Sequence, residues 1–374
     1  MSDDNKRHFR SRIIDTLNAQ INASRSNADR NILFARKAFI LARHSLIAES
    51  KRLIAELRAV NEKYDARLSA WIMFAEGVIE HAETYNIAKS RDRIIRAHLV
   101  GQAGNDPTLA GTAAAWLAYY DYLEGRYKDS ADYLEKAFAW SRIVDSEARS
   151  RACMILGSGF SFSGDQLKSK KWIQAARSHA VESGDIAMQN SILFNASALH
   201  VSMLTLADCT GGVDSNELNF VAMSAQSASN LNHALGISNQ PSMIPIQRAE
   251  ILTIQKRWQE AQALFDDHIE RLGAQGQSKW SARFIAHRAW CKGNLGDISG
   301  CYSDVTLALN SVDSGLDPDD LFVVHSRIAG SLELCNKHAA ADTHREIANL
   351  NLKRHAQHQA TVNDLFSAVA DRHG

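Results

Sequence analysis

The sequence predicts an all-α, right-handed superhelical solenoid of antiparallel helical hairpins with a period of about 40 residues. Three observations carry that expectation. Proline is scarce, four residues in 374, and a chain so poor in breakers cannot supply the turns of a sandwich or barrel. Apolar residues recur at three-and-four spacing and not at strand alternation. Turn signals recur in register at positions 125, 164, 256, 296 and 336, separated by 39, 92, 40 and 40 residues.

Taken in chain order, residues 9–21, 32–47 and 50–61 read as three helices, the last with Leu53, Ile54, Leu57 and Val60 on one stripe. They suggest a cap and a degenerate repeat over 1–66, since terminal repeats need a polar outer face. The clearest unit spans 113–138, two amphipathic patterns joined at Gly125-Arg126-Tyr127, the second carrying Ala131, Leu134, Ala137 and Phe138. Similar units turn at Gly164-Asp165, Lys256-Arg257, Gly296-Asp297 and Asn336-Lys337. The gap of 92 residues implies one further hairpin with extra length, inserted at Cys209–Asp214 and in the connection over 236–245. Asp106, Asp145 and Asp317 each lie 19 residues before a turn, two of them followed by proline. An Asp N-cap with Pro at the first helical position marks a helix start, because the carboxylate accepts orphan N–H groups and Pro has none to waste. The array is expected over 67–348, with a capping or connector helix over 349–374.

Leu123-x-Gly-x-Tyr127 followed by Leu134 and Ala137 resembles the tetratricopeptide repeat. The likeness covers roughly residues 68–350, with Ser130 and Ser169 where that family prefers Ala. The chain is similar to the long-period tetratricopeptide-like arrays of bacterial regulators and signalling sensors. That resemblance implies binding of peptides or partner proteins in a concave groove, lined by the first helix of each hairpin. Matching positions on those helices are Tyr119 and Tyr122, Arg151 and Ser158, Glu250, and Arg283 and Trp290, with Asn195 their counterpart in the remaining repeat. Tyr, Trp and Arg are the side chains that most often anchor binding.

The rest of the sequence argues against catalysis. Neither phosphate-cradling glycine motifs nor H-E-x-x-H nor G-x-S-x-G occurs. His355 and His358 stand at i, i+3, with His338, His344 and Glu346 upstream, but no carboxylate recurs at matching spacing, so neither metal nor other cofactor is expected. Five cysteines without C-x-x-C spacing and a charged N-terminus fit a reducing cytoplasm. With 42 basic against 42 acidic residues there is no overall basic footprint for nucleic acid. Early basic residues, from Lys6 to Arg43, read as a solvated cap face.

One stretch departs from the average. Residues 186–247 hold only Asp208, Asp214 and Glu217 as charges, where the overall 22% would give about 14. They also hold Met188, Met203, Met223 and Met243. Polar residues such as Asn190, Asn195 and His200 argue against a membrane span there. Charge depletion with Met enrichment suits either a homodimer contact, an apolar peptide groove, or hairpins buried by their neighbours. The expectation is a non-enzymatic protein- or peptide-binding scaffold or regulator. A ligand- or signal-peptide-responsive sensor acting on an effector is the alternative.

Overall fold

The computed structural model describes residues 11–61, 65–141, 145–235 and 242–374. All regular structure among them is helical. The helices are α1 (Arg12–Ala23), α2 (Asn27–Arg43), α3 (Ile47–Val60), α4 (Ala66–Thr84), α5 (Ile87–Ala103), α6 (Pro107–Leu123), α7 (Tyr127–Trp140), α8 (Ser146–Phe162) and α9 (Gln166–Ser183). They continue as α10 (Ile186–Thr210), α11 (Ser215–Leu235), α12 (Met243–Ile254), α13 (Trp258–Ala274), α14 (Ser281–Asn294), α15 (Ile298–Asn310), α16 (Pro318–Leu334) and α17 (His338–His373). A single 3-10 turn, Ser278–Trp280, precedes α14.

From α2 onward the helices pair as antiparallel hairpins, and each hairpin turns on one left-handed residue. These are Ser45, Tyr85, Gly125, Gly164, Gly211, Lys256, Gly296 and Asn336, with φ between 51° and 85°. In seven of the eight, the next N–H donates to the carbonyl five residues back, as Arg126 does to Asp121 at 2.8 Å and Asp165 to Phe160 at 2.9 Å. That bond satisfies an orphan carbonyl and reverses the chain at once. The five turns read from the sequence are all left-handed here. The missing hairpin turns at Gly211, so Cys209–Asp214 is its turn and not an insertion. The extra length lies mainly in α10, 25 residues against 17 in α6 and α8. Residues 236–241, the other expected insertion, lie outside the described residues, and Met243 already opens α12.

Helix starts follow the same local logic. Asp106 accepts from the Leu109 N–H at 3.1 Å ahead of Pro107, and Asp65, Asn86, Asp165, Asp185 and Asp297 cap their helices alike. Asp145 and Asp317 occupy N-cap positions without a side-chain cap bond. Within hairpins, Gly77 lies under Ile94 and Gly157 under Ile173, where a Cβ would stand 2.8 Å and 2.7 Å from the isoleucine. First helices stack on first helices, α6 on α8, α8 on α10, α10 on α12, α12 on α14 and α14 on α16. The chain is therefore an all-α solenoid of tetratricopeptide-like hairpins.

Two contacts close the superhelix on itself. Gly276 packs against the Thr84 carbonyl, with no room for a Cβ, and Trp280 meets Tyr85 edge-on at 6.0 Å. The second contact is α17, unbroken through position 349, which leaves α16 and lies along α7 and α8. Its Val362, Phe366, Val369 and Ala370 enter the core built by Leu134, Phe138, Phe160 and Trp172. The thiols of Cys153, Cys291, Cys301 and Cys335 are buried between helices. Of the early basic residues within the described chain, Arg12 bonds the Val181 and Glu182 carbonyls, Arg36 faces Glu147, and Arg43 pairs with Asp185.

Candidate functional site

Closure leaves a channel between the first helices, and α10 forms one wall. Ser191, Phe194, Asn195, Ala198, Leu199 and Ser202 follow helical three-and-four spacing, so they share the face that looks into it. Two cavities, both open to solvent, lie side by side along α10 and share Tyr85, Tyr119, Phe194 and Asn195 in their linings. This explains the charge depletion of α10. It is the one helix among the described residues long and apolar enough to cross a membrane, yet only 28% of that apolar window is buried. Its open side faces the channel with aromatic, aliphatic and uncharged polar groups.

The first end is basic. Arg151 of α8 is 6% exposed, with its guanidinium carbon 3.7 Å from the Trp116 ring centre and 5.4 Å from that of Tyr119. No carboxylate among the described residues lies within ion-pair distance of it. Burial first, then the neighbouring Arg43, lower its pKa to about 9, which leaves it charged at neutral pH. Arg43 is engaged by Asp185 at 2.5 Å, and Asp185 also caps α10 through the Met188 N–H. His81 packs among Tyr85, Trp116, Tyr119 and Tyr120. Burial and then Arg151 pull its pKa down to about 3, so it is neutral.

The second end is acidic. Arg283 of α14 is held by Glu250 of α12 at 2.7 Å and by Asp320 of α16 at 2.7 Å, with the Ser202 hydroxyl at 3.2 Å. Asp319 also lines this end, which sets three carboxylates against one guanidinium. Burial raises the pKa of Asp319 and Asp320, and for Asp320 the charge of Asp319 adds to it. Asp317, behind them, is pushed up to about 7 by burial and by Asp319.

Of the eight groove residues expected, Tyr119, Tyr122, Arg151, Ser158, Asn195, Glu250 and Arg283 line this channel. Trp290 does not. Its ring lies against Gly330 of α16 and meets Trp258 edge-on, so it fills a helix–helix contact. The four methionines share no surface. Met188 is buried in the middle core, Met203 lies beside Ser161 and Gln166, Met223 is 69% exposed, and Met243 lines the acidic end. His344 stacks on His325, and His355 and His358 pack on Phe162 and Tyr127. Among the described residues no group of three potential metal ligands converges.

Sequence reasoning missed Phe194, Ala198, Leu199 and Ser202, although the uncharged stripe on α10 carries the signal once the helix is drawn as a wheel. It also missed Tyr85 and Trp280, which reach the channel through the closure, and Asp319 and Asp320, hidden behind the reading of Asp317 as a cap.

No family model matches the sequence, and no curated protein does. Comparison with solved structures finds the same architecture in a Rap protein complexed with competence and sporulation factor. The TM-score is 0.58 at 12% identity, over 92% of this chain and 92% of that one. At that identity the likeness establishes the fold.

Proposed function

We propose that this chain is a non-catalytic regulator that binds an extended peptide in the channel along α10. The observation that carries the reading is the pair of adjoining cavities along α10, open to solvent and walled by groups that suit a peptide. Asn195 and Gln247 bring amide groups to the wall for a main chain, while Tyr119, Phe194, Trp280 and Leu199 offer surfaces to side chains. The Rap protein with this fold over nearly its whole length was solved with a bound factor, which supports a binding role for the array. Glu250 and Asp320 are both tied to Arg283, an arrangement that suits a fixed recognition surface at this end.

A second feature favours a sensor within that class. Tyr122 lines the channel and also meets Phe366 of α17 at 6.1 Å. A ligand against Tyr122 would press on the helix that closes the superhelix, so occupancy would be communicated to the outer surface.

The test is thermal denaturation of the full chain with pools of short synthetic peptides. A peptide at about a hundred times its Kd stabilises the chain by about 2.7 kcal/mol. At least one pool should raise Tm, and Ala198→Trp, which places an indole in the passage, should abolish the rise while keeping the helical far-UV signal. No rise with any pool would remove the peptide reading.

A further inference from the structure

Arg151 and Arg283 of the channel differ in one respect. Arg283 is neutralised by Glu250 and Asp320, whereas Arg151, equally buried, has no carboxylate partner among the described residues. A buried cation left uncompensated is costly, and stacking on Trp116 offsets only part of that cost. The guanidinium stands in the wall of the passage, beside Ser191, Phe194 and Asn195 of α10. The neighbouring charges Arg43 and Asp185 pair with each other, so among the described residues this end carries one net positive charge.

We infer that Arg151 receives the C-terminal carboxylate of the bound peptide, whose amino end then points toward Glu250, Asp319 and Asp320. The inference rests on the peptide reading above and gives it a direction. A single net positive charge matches a monoanion, and a planar guanidinium presents paired donors to a carboxylate. The far end holds three carboxylates against one guanidinium and attracts a cation. A peptide with free ends carries these two opposite charges at its two extremities, which an acidic side chain in mid-sequence does not. Arg151 thus anchors the terminus, with Trp116 behind it as a rigid backing that holds the guanidinium plane.

Trp116 also provides the reporter. The sequence has seven tryptophans, and the indole N–H signal of Trp116 can be assigned by NMR with Trp116→Phe. The probes are N-acetyl-L-leucine, N-acetyl-L-leucinamide, and the α-amide of N-acetyl-L-aspartic acid, titrated into the full chain. The α-carboxylate should shift the Trp116 signal saturably, and the two amides should need at least tenfold more. Arg151→Gln should erase the difference, and Arg151→Lys, which keeps the charge without the fork, should retain part of it with the helical signal intact. Equal response to leucine acid and leucinamide overturns the anchor, and so does no response to either. The aspartyl amide matching N-acetyl-L-leucine overturns the terminal assignment in favour of a side-chain carboxylate. Because the Ala198→Trp test reads the whole passage, the peptide reading can stand while the anchor falls.

Discussion

Ser130 and Ser169, the two departures from the small-residue pattern of the repeat, show how a single side chain is accommodated. Each hydroxyl donates to a carbonyl twelve residues back on the partner helix, Ala118 at 2.9 Å and Gly157 at 2.8 Å, and Ser50 does the same to Ala38 at 2.7 Å. Serine is nearly as small as alanine, so the helices still approach closely, and the buried hydroxyl is satisfied. His81 is the residue where burial has a measurable pH consequence. Its pKa falls from 6.5 to about 3, from burial first and Arg151 second. The unfolded chain takes up the proton near 6.5 and the folded chain does not until about 3. The stability due to neutral His81 is therefore complete above 6.5 and lost progressively as pH falls toward 3, amounting to about 2 kcal/mol by pH 5. The Tm of His81→Phe should fall less between pH 7 and pH 5 than that of the parent, and parallel profiles would refute the assignment. Asp317, raised to about 7, acts in the opposite sense, so the comparison of variant with parent carries the test.

Among the elements, α10 and α17 depart most from the repeat, and both departures serve the channel. α10 buries Ala187, Met188, Ile192, Val201 and Leu204 and lends Ser191, Phe194, Asn195, Ala198, Leu199 and Ser202 to the passage. Its lack of charge was legible in the sequence, but the choice between interface, groove and buried core was not, because a wall and a core helix have the same composition. The sequence suggests a capping or connector helix over 349–374; the 36 residues of α17 run unbroken through that stretch, from the last hairpin to the middle of the array. Phe366 is wholly buried, and a Cβ on Gly159 would stand 2.3 Å from its ring. Phe366→Ala should cost about 3–5 kcal/mol by leaving a cavity, and Gly159→Ala about 1–3 kcal/mol by overpacking. Urea titration of both variants checks this, and a loss under 1 kcal/mol for Phe366→Ala would mean that α17 does not dock there.

For the whole molecule, closure decides how the solenoid behaves. An open repeat array unfolds in segments, because each hairpin touches only its neighbours. Here α17 ties the eighth hairpin to the third and fourth, and Gly276 and Trp280 tie the connection between the sixth and seventh to the second. The full chain should therefore unfold in one step, with tryptophan fluorescence and helical signal coincident in urea. A chain ending at Lys353, without Val362, Phe366 and Val369, should show two separated transitions, and a single one would place the cooperativity elsewhere. The sequence by itself determined the helices, their starts and their turns. These depend on neighbours within a few residues: Asp before Pro107, a left-handed residue at 125, 164, 256, 296 and 336, and apolar stripes at helical spacing. Seven groove residues followed from that register, because equivalent positions on stacked hairpins face the same way. Tertiary structure alone decided that Trp290 packs between helices, that Asp319 and Asp320 reach the channel, and that Arg151 has no carboxylate partner among the described residues. Whether a buried charge is paired depends on which distant helices the closure brings to it, and residues hundreds of positions apart leave no periodic trace of that meeting.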